Sequence, residues 1–212
     1  MRRFDLVTVD LNGTLLPETT AFELLLRAAG EHEEADRLRA MQRAGRIGSE
    51  EAFLARWGLV RRMTMQEMHR HLRRSDAWLP RIGEGVRKLR GAGLDVWLLT
   101  DQPSTVTDFL MRWGFQRAVC SPVEVVEGRQ ETLEPRMDKL ANLEAALGED
   151  GGRLDRVCHV GDGGNDVPVF RAVAASVAVR PRAGVGEAAT HVLPAPADFG
   201  EVVDAVLALC GA

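Results

Sequence analysis

The chain reads as an α/β protein, a doubly wound parallel sheet interrupted early by a small α-helical cap. Three observations predict this. Short β-rich apolar runs at residues 4–9, 94–100, 157–160 and 176–179 are separated by helical patterns, the order that builds a parallel sheet buried on both faces. Between residues 17 and 80 the β-rich runs stop, and apolar residues recur at helical spacing among many Arg and Glu. Two of the four runs end on Asp beside Gly, and the ligands of open α/β sheets sit beyond the carboxyl ends of the strands.

The first run delivers Asp10 into Asp10-Leu11-Asn12-Gly13-Thr14. The helical stretch follows at once, with Phe22, Leu25 and Leu26 starting one helix and Leu38 and Met41 in a second. Phe53, Leu54 and Trp57 mark a third, and Met65, Met68 and Leu72 a fourth. Its position directly after the first Asp corner makes residues 17–80 a cap over the site, and residues 1–16 with 81–212 the Rossmann-like core. A helix over 82–92 places Val86 and Leu89 on one face and stops at Gly91-Ala92-Gly93. The second strand then ends on Thr100. Pro103 opens a helix over 104–113 that stops before Gly114, and residues 123–130 alternate around Glu127-Gly128 like a hairpin. A helix over 137–147 ends before Gly148, with 148–153 as a loop. The strand at 157–160 then opens into Gly161-Asp162-Gly163-Gly164-Asn165-Asp166.

Composition narrows the function. At 212 residues, 45% hydrophobic and 27% charged, this is an ordinary globule whose net charge of −4 offers no general attraction to nucleic acid or an anionic membrane. Any phosphate site must be built locally. No apolar stretch reaches the roughly 18 residues of a membrane span, and the N-terminus lacks a signal-peptide core, so a cytoplasmic location is expected. Cys120, Cys158 and Cys210 are odd in number and widely spaced, which favours buried thiols over disulfides or zinc. His69 and His71, two apart on a helix, face different sides, and structural roles are expected for them, for His159 and for His191. The methionines and Trp57 of the cap read as helix packing.

A lone Asp at a strand end is commonly a turn cap. Here a second acidic corner, a hydroxyl at a strand end and Lys139 at the start of a helix supply together a nucleophile, oxygen ligands for a hard cation, and donors for phosphate oxygens. The carboxylates of Asp10 and Asp162 must then converge on one ion.

These residues resemble the haloacid dehalogenase superfamily, and within it the phosphoserine-phosphatase-like branch. Asp10-Leu11-Asn12-Gly13-Thr14, Leu98-Leu99-Thr100, Lys139 and Gly161-Asp162-Gly163-Gly164-Asn165-Asp166 take the places of its four motifs, nearly along the whole chain. The resemblance implies that Asp10 attacks phosphorus to form an aspartyl-phosphate. It implies Mg2+ held by Asp10, the Asn12 carbonyl and Asp162, with Asp166 in support. Thr100, Lys139 and backbone N–H groups near Gly13 and Thr14 would bind the phosphate, with Asn165 close by. The substrate would be a small phosphorylated metabolite; oligomeric state is not legible.

Two departures matter. Asn12 stands where the family's phosphatases carry the Asp that protonates the leaving alcohol and later deprotonates water, and a carboxamide can do neither. A natural enzyme weakened as a hydrolase, a non-catalytic phosphometabolite-binding protein, and an engineered trapping variant all fit this residue. Asp101-Gln102 replaces a pair of glycines. In the cap, Arg56 falls where the branch binds a substrate carboxylate, or belongs simply to a solvated helical face. Glu18 lies one residue from the acid that faces the substrate amine, and Thr19 occupies that place. Phosphoserine itself is therefore doubtful, and a related small phosphomonoester is expected, with Asp101 beside it.

Overall fold

The structure, a computed structural model, describes residues 2–211. A six-stranded sheet runs in the order β3-β2-β1-β6-β7-β8 with every neighbouring pair parallel. The strands are β1 (Leu6–Val9), β2 (Asp95–Pro103), β3 (Arg117–Ser121), β6 (Val157–Gly161), β7 (Ala175–Val179) and β8 (His191–Leu193). The central strands are buried along their length, β1 as Leu-Val-Thr-Val and β6 as Val-Cys-His-Val-Gly. At roughly 1.5–3 kcal/mol for each fully buried aliphatic side chain, such runs hold the middle of the sheet. Chain order reverses direction between β1 and β6, so the crevice of a doubly wound sheet opens there.

All four strands expected from the apolar runs are present. The two edge strands, β3 and β8, were not foreseen. Arg-Ala-Val-Cys-Ser is only partly buried, and His-Val-Leu is three residues long and mostly exposed, so neither carries a continuous apolar signal. The hairpin is real but forms a separate sheet, β4 (Val123–Val126) with β5 (Arg129–Leu133). Glu127 and Gly128 both take positive φ, 50° and 76°, as a tight two-residue hairpin turn requires.

Four helices fill the stretch after β1: α1 (Ala21–Ala29), α2 (His32–Arg43), α3 (Ser49–Val60) and α4 (Met65–Arg74). Their starts are written in local chemistry. The Thr20 hydroxyl accepts from Glu23 N–H, and Thr64 with Glu67 forms a reciprocal capping box. Phe22, Leu25, Phe53, Met68 and Leu72 belong to the same contiguous buried cluster as Val7, Val9, Leu11 and Leu16. Gln130 of the hairpin plugs the junction: its carbonyl accepts from Trp57 Nε1 at 3.3 Å and from the Thr105 hydroxyl at 2.9 Å.

The remaining helices cover the sheet: α5 (Ile82–Gly91), α6 (Ser104–Leu110), α7 (Lys139–Asp150), α8 (Val167–Ala172) and α9 (Phe199–Cys210). The expected end of α7 before Gly148 is corrected. Gly148 lies inside the helix, which runs to Asp150 and stops at Gly151, whose φ of 68° supplies the left-handed cap. Cys158 and Cys210 are buried and Cys120 is half-buried, and all three are free thiols.

Candidate active site

The two Asp corners meet. The Asp10 N–H donates to the Val160 carbonyl at 2.8 Å, which ties the end of β1 to the end of β6. Gly13, at φ 87°, lies so close to Asp162 that a Cβ there would sit 2.2 Å from its carboxyl group. Glycine is needed for both reasons, the backbone conformation and the contact. One carboxylate oxygen from each of Asp10, Asp162 and Asp166 falls within 4.8 Å of the others, and all three residues are buried.

Lys139, 2% exposed, opens α7 and places its ammonium 2.6 Å from both Asp10 Oδ1 and Asp166 Oδ1. Burial alone would lower its pKa, but Asp10, Asp166 and Asp101 override that and raise it, so it stays charged. Asp166 is bound on every side. Its Oδ1 also accepts from His159 Nε2 at 3.0 Å, and its Oδ2 from the N–H groups of Asp162 and Gly163 at 3.0 and 2.9 Å. Burial opposes its charge, yet Lys139 and His159 hold its pKa well below the usual carboxylate range. Asp166 is therefore ionised and can only accept, so His159 Nε2 carries the proton. Burial drives the His159 pKa down, and its neutral Nδ1 accepts from the Thr8 hydroxyl at 2.8 Å. His159 thus acts beneath the site, a role its strand position could not reveal.

The other two carboxylates are less well compensated. Burial raises the pKa of Asp10 well above normal, more than Lys139 restores. Asp162 is pushed up to about 6 by burial and by Asp166, against the pull of Arg182 and Lys139. Three buried carboxylates against one lysine leave negative charge in excess, and all offer hard oxygen donors, the set that suits a cation such as Mg2+.

Above this cluster lies a cavity of about 450 Å³, lined by Asp10, Asn12, Arg56, Asp101, Asp162 and Asn165 among the expected residues. The helical stretch supplies Thr20, Phe22, Gln42, Ser49 and Phe53 to its walls. Arg56 is half-buried, its guanidinium 6.0 Å from the Phe22 ring centroid and its Nε donating to the Ala52 carbonyl at 3.0 Å. Thr100 and Lys139 do not line the cavity; both are buried, and the Thr100 hydroxyl accepts from Gln102 N–H at 3.3 Å. Thr14 is also buried, and its hydroxyl has no hydrogen-bond partner.

Glu18 departs from expectation: it is exposed and not among the cavity residues, because the chain has reached only the surface loop before the Thr20 cap. Asn12 has a role that sequence reasoning missed. Its side-chain carbonyl accepts from Ala21 N–H at 2.9 Å, so it satisfies the first amide of α1 and fastens that helix to the β1 corner. Arg182 was also missed. It lines the cavity from the loop after β7, its Nε 3.6 Å from Asp162 Oδ2, and nothing in Arg-Pro-Arg marks it out locally.

Comparison with known proteins agrees with this geometry. The chain is 26% identical over 212 residues to a phosphoserine phosphatase of Streptomyces coelicolor, covering 97% of this chain and 50% of that protein. It thus spans about half the length of the curated relative it matches. A protein of unknown function from Bordetella pertussis Tohama I superposes with a TM-score of 0.74 at 26% identity, covering 89% of this chain and 97% of that one. A phosphoserine phosphatase solved as a phospho-aspartyl intermediate analogue shares the fold, with a TM-score of 0.75 at 18% identity over 96% of this chain and 99% of that one. The family model described as haloacid dehalogenase-like hydrolase matches residues 7–171, and the chain belongs to that family.

Proposed function

We propose that the chain is a Mg2+-dependent phosphatase or phosphotransferase acting on a small phosphomonoester through an aspartyl-phosphate on Asp10. One observation carries the reading: a buried strand-end carboxylate, 4% exposed, held by Lys139 at 2.6 Å and forming part of a three-Asp cluster that meets the cavity.

Asp10 attacks phosphorus with its free oxygen while Lys139 orients the other. Asp10, Asp162 and the Asn12 main-chain carbonyl would hold the cation. Asp166, whose oxygens already serve four donors, braces Lys139 and the loop of Asp162. When bound there, a cation would compensate charge between the phosphate dianion and the carboxylates. The Gly13 N–H is taken by the Leu16 carbonyl at 2.8 Å, so the neighbouring Thr14 N–H, the Thr100 hydroxyl and Lys139 offset the remaining phosphate charge. Residues 17–80 form the cap, which admits substrate and then excludes water. Arg56 presents a guanidinium fork suited to a substrate carboxylate, and a phosphorylated amino acid or similar acid is the substrate class that this and the Streptomyces relative suggest.

Asn12 favours a second reading, a phosphometabolite-binding protein without turnover, because its side chain carries no acid proton and its Oδ1 is committed to Ala21 N–H. One experiment divides them. The protein is incubated with Mg2+ and 4-nitrophenyl phosphate, whose leaving group needs little protonation, beside Asp10→Asn and Asn12→Asp. Turnover that Asp10→Asn abolishes supports the enzyme; silence in both the parent and Asn12→Asp supports the binder.

A further inference from the structure

An alkyl phosphomonoester releases an alkoxide, which departs slowly unless a proton reaches its oxygen. Few groups around Asp10 can supply one. Lys139 is kept charged between two carboxylates, each at 2.6 Å. His159 is fully buried under Asp166 and has no access to the cavity. Asp162 and Asp166 belong to the cation cluster, Arg56 and Arg182 are guanidinium groups that do not release protons, and Asn12 has none to give. Asp101 is left. It is half-buried, it lines the same cavity as Asp10, and its Oδ1 accepts only from the adjacent Gln102 Nε2, at 3.1 Å. Among the described residues no ion pair engages Asp101.

Strand order explains the placement. β1 and β2 are parallel neighbours, paired up to Val9 and Leu98. Asn12 lies in the turn after β1 and Asp101 near the end of β2, so both stand at the carboxyl edge of the sheet and line one cavity. The carboxylate missing from one strand end is present on the next.

We propose that Asp101 is the catalytic acid and base of this site, an inference that rests on the aspartyl-phosphate reading above. In the first half, Asp10 forms its O–P bond as the ester P–O bond breaks, and the carboxyl proton of Asp101 passes to the departing alkoxide to give the alcohol. In the second, the Asp101 carboxylate takes a proton from water as the water oxygen bonds to phosphorus. The Asp10 O–P bond then breaks, which releases inorganic phosphate and restores both residues. The charged groups near Asp101 are Asp10 just after β1, Arg56 from α3 and Lys139 from α7.

The test compares small alkyl phosphomonoesters (phosphoserine, phosphothreonine and glycerol 3-phosphate, the best of them taken forward) with 4-nitrophenyl phosphate in four proteins: the parent, Asp101→Asn, Asn12→Asp and the double variant. Asp101→Asn is expected to slow alcohol release in a single turnover of the alkyl ester by about 100-fold or more, at least about ten times further than it slows 4-nitrophenol release, while hydrolysis of the aspartyl-phosphate slows alike for both. Asn12→Asp should restore alkyl turnover far more in the Asp101→Asn background than in the parent, and Asp101→Glu should keep part of it. Equal losses in single-turnover release of alcohol and of 4-nitrophenol, or the same gain from Asn12→Asp in either background, would overturn the assignment. A parent that hydrolyses the aryl ester but not the alkyl one overturns it too, and leaves the aspartyl-phosphate reading standing. A parent inert toward both removes that reading, and this one with it.

Discussion

Asp10 and Asp166 lean on the same lysine nitrogen, each at 2.6 Å, yet the two corners of the sheet treat them in opposite ways. At the β6 corner, Asp166 collects three further donors, from His159, Asp162 N–H and Gly163 N–H, and its charge is stabilised in the fold. At the β1 corner, Asp10 has Lys139 as its one fixed N–H donor among the described side chains, and burial makes its charge costly. A carboxylate saturated with hydrogen bonds is a strut. One that is buried and under-compensated is held ready to react, or to share a cation. The lesson is that residue type and burial do not separate the two roles, whereas the count of donors does.

That contrast can be broken by mutation. Asp10→Asn should abolish turnover of 4-nitrophenyl phosphate, by at least about 10⁴-fold, and prevent phosphoryl transfer to the protein as read by intact mass. Asp166→Asn should leave residual activity, reduced by roughly 10–100-fold, while lowering the urea midpoint more than Asp10→Asn does. Comparable residual activity in the two variants would erase the distinction.

Lys139→Met tests the shared element. With the cation removed by chelator, it leaves two buried carboxylates facing each other, and the expected loss is about 3–5 kcal/mol by urea unfolding. Combining it with Asp166→Asn should recover part of that loss, since one of the stranded charges goes with the second substitution.

A smaller effect concerns Asp162. Mg2+ at about 100 times its dissociation constant should stabilise the parent by about 2.7 kcal/mol, seen as a rise in thermal midpoint. The rise should nearly vanish in Asp162→Asn. An undiminished rise would place the cation elsewhere.

The smallest concerns Asn12. Asn12→Ala strands the first amide of α1 and should cost about 1 kcal/mol, with faster hydrogen exchange at Ala21. Asn12→Asp keeps an acceptor for that amide and should keep its protection from exchange.

Much of this site could be read along the chain. Asp10 and Asp162 each follow an apolar run and precede glycine, so their places at strand ends needed no tertiary information. Lys139 was legible as a lysine at the start of a helix, but its burial between Asp10 and Asp166 has no local mark. The Asn12 bond to Ala21, the Gln130 plug between helices and hairpin, and Arg182 beside Asp162 had no sequence signal, since each joins segments through one side chain at hydrogen-bond or ion-pair distance. The edge strands β3 and β8 escaped for a different reason: half-exposed and short, they lack the apolar continuity that marks β1 and β6.

By itself the amino-acid order determined the alternation of strands and helices, the helical stretch after β1, and the Asp-Gly corners, because apolar periodicity, caps and glycine conformations are properties of neighbouring residues. Only the tertiary structure decided which carboxylates share Lys139, how many donors each receives, and that Asp101 and Asn12 line one cavity. Those outcomes follow from strand register and from Coulomb and hydrogen-bond forces that change steeply over an ångström, between residues far apart in the chain.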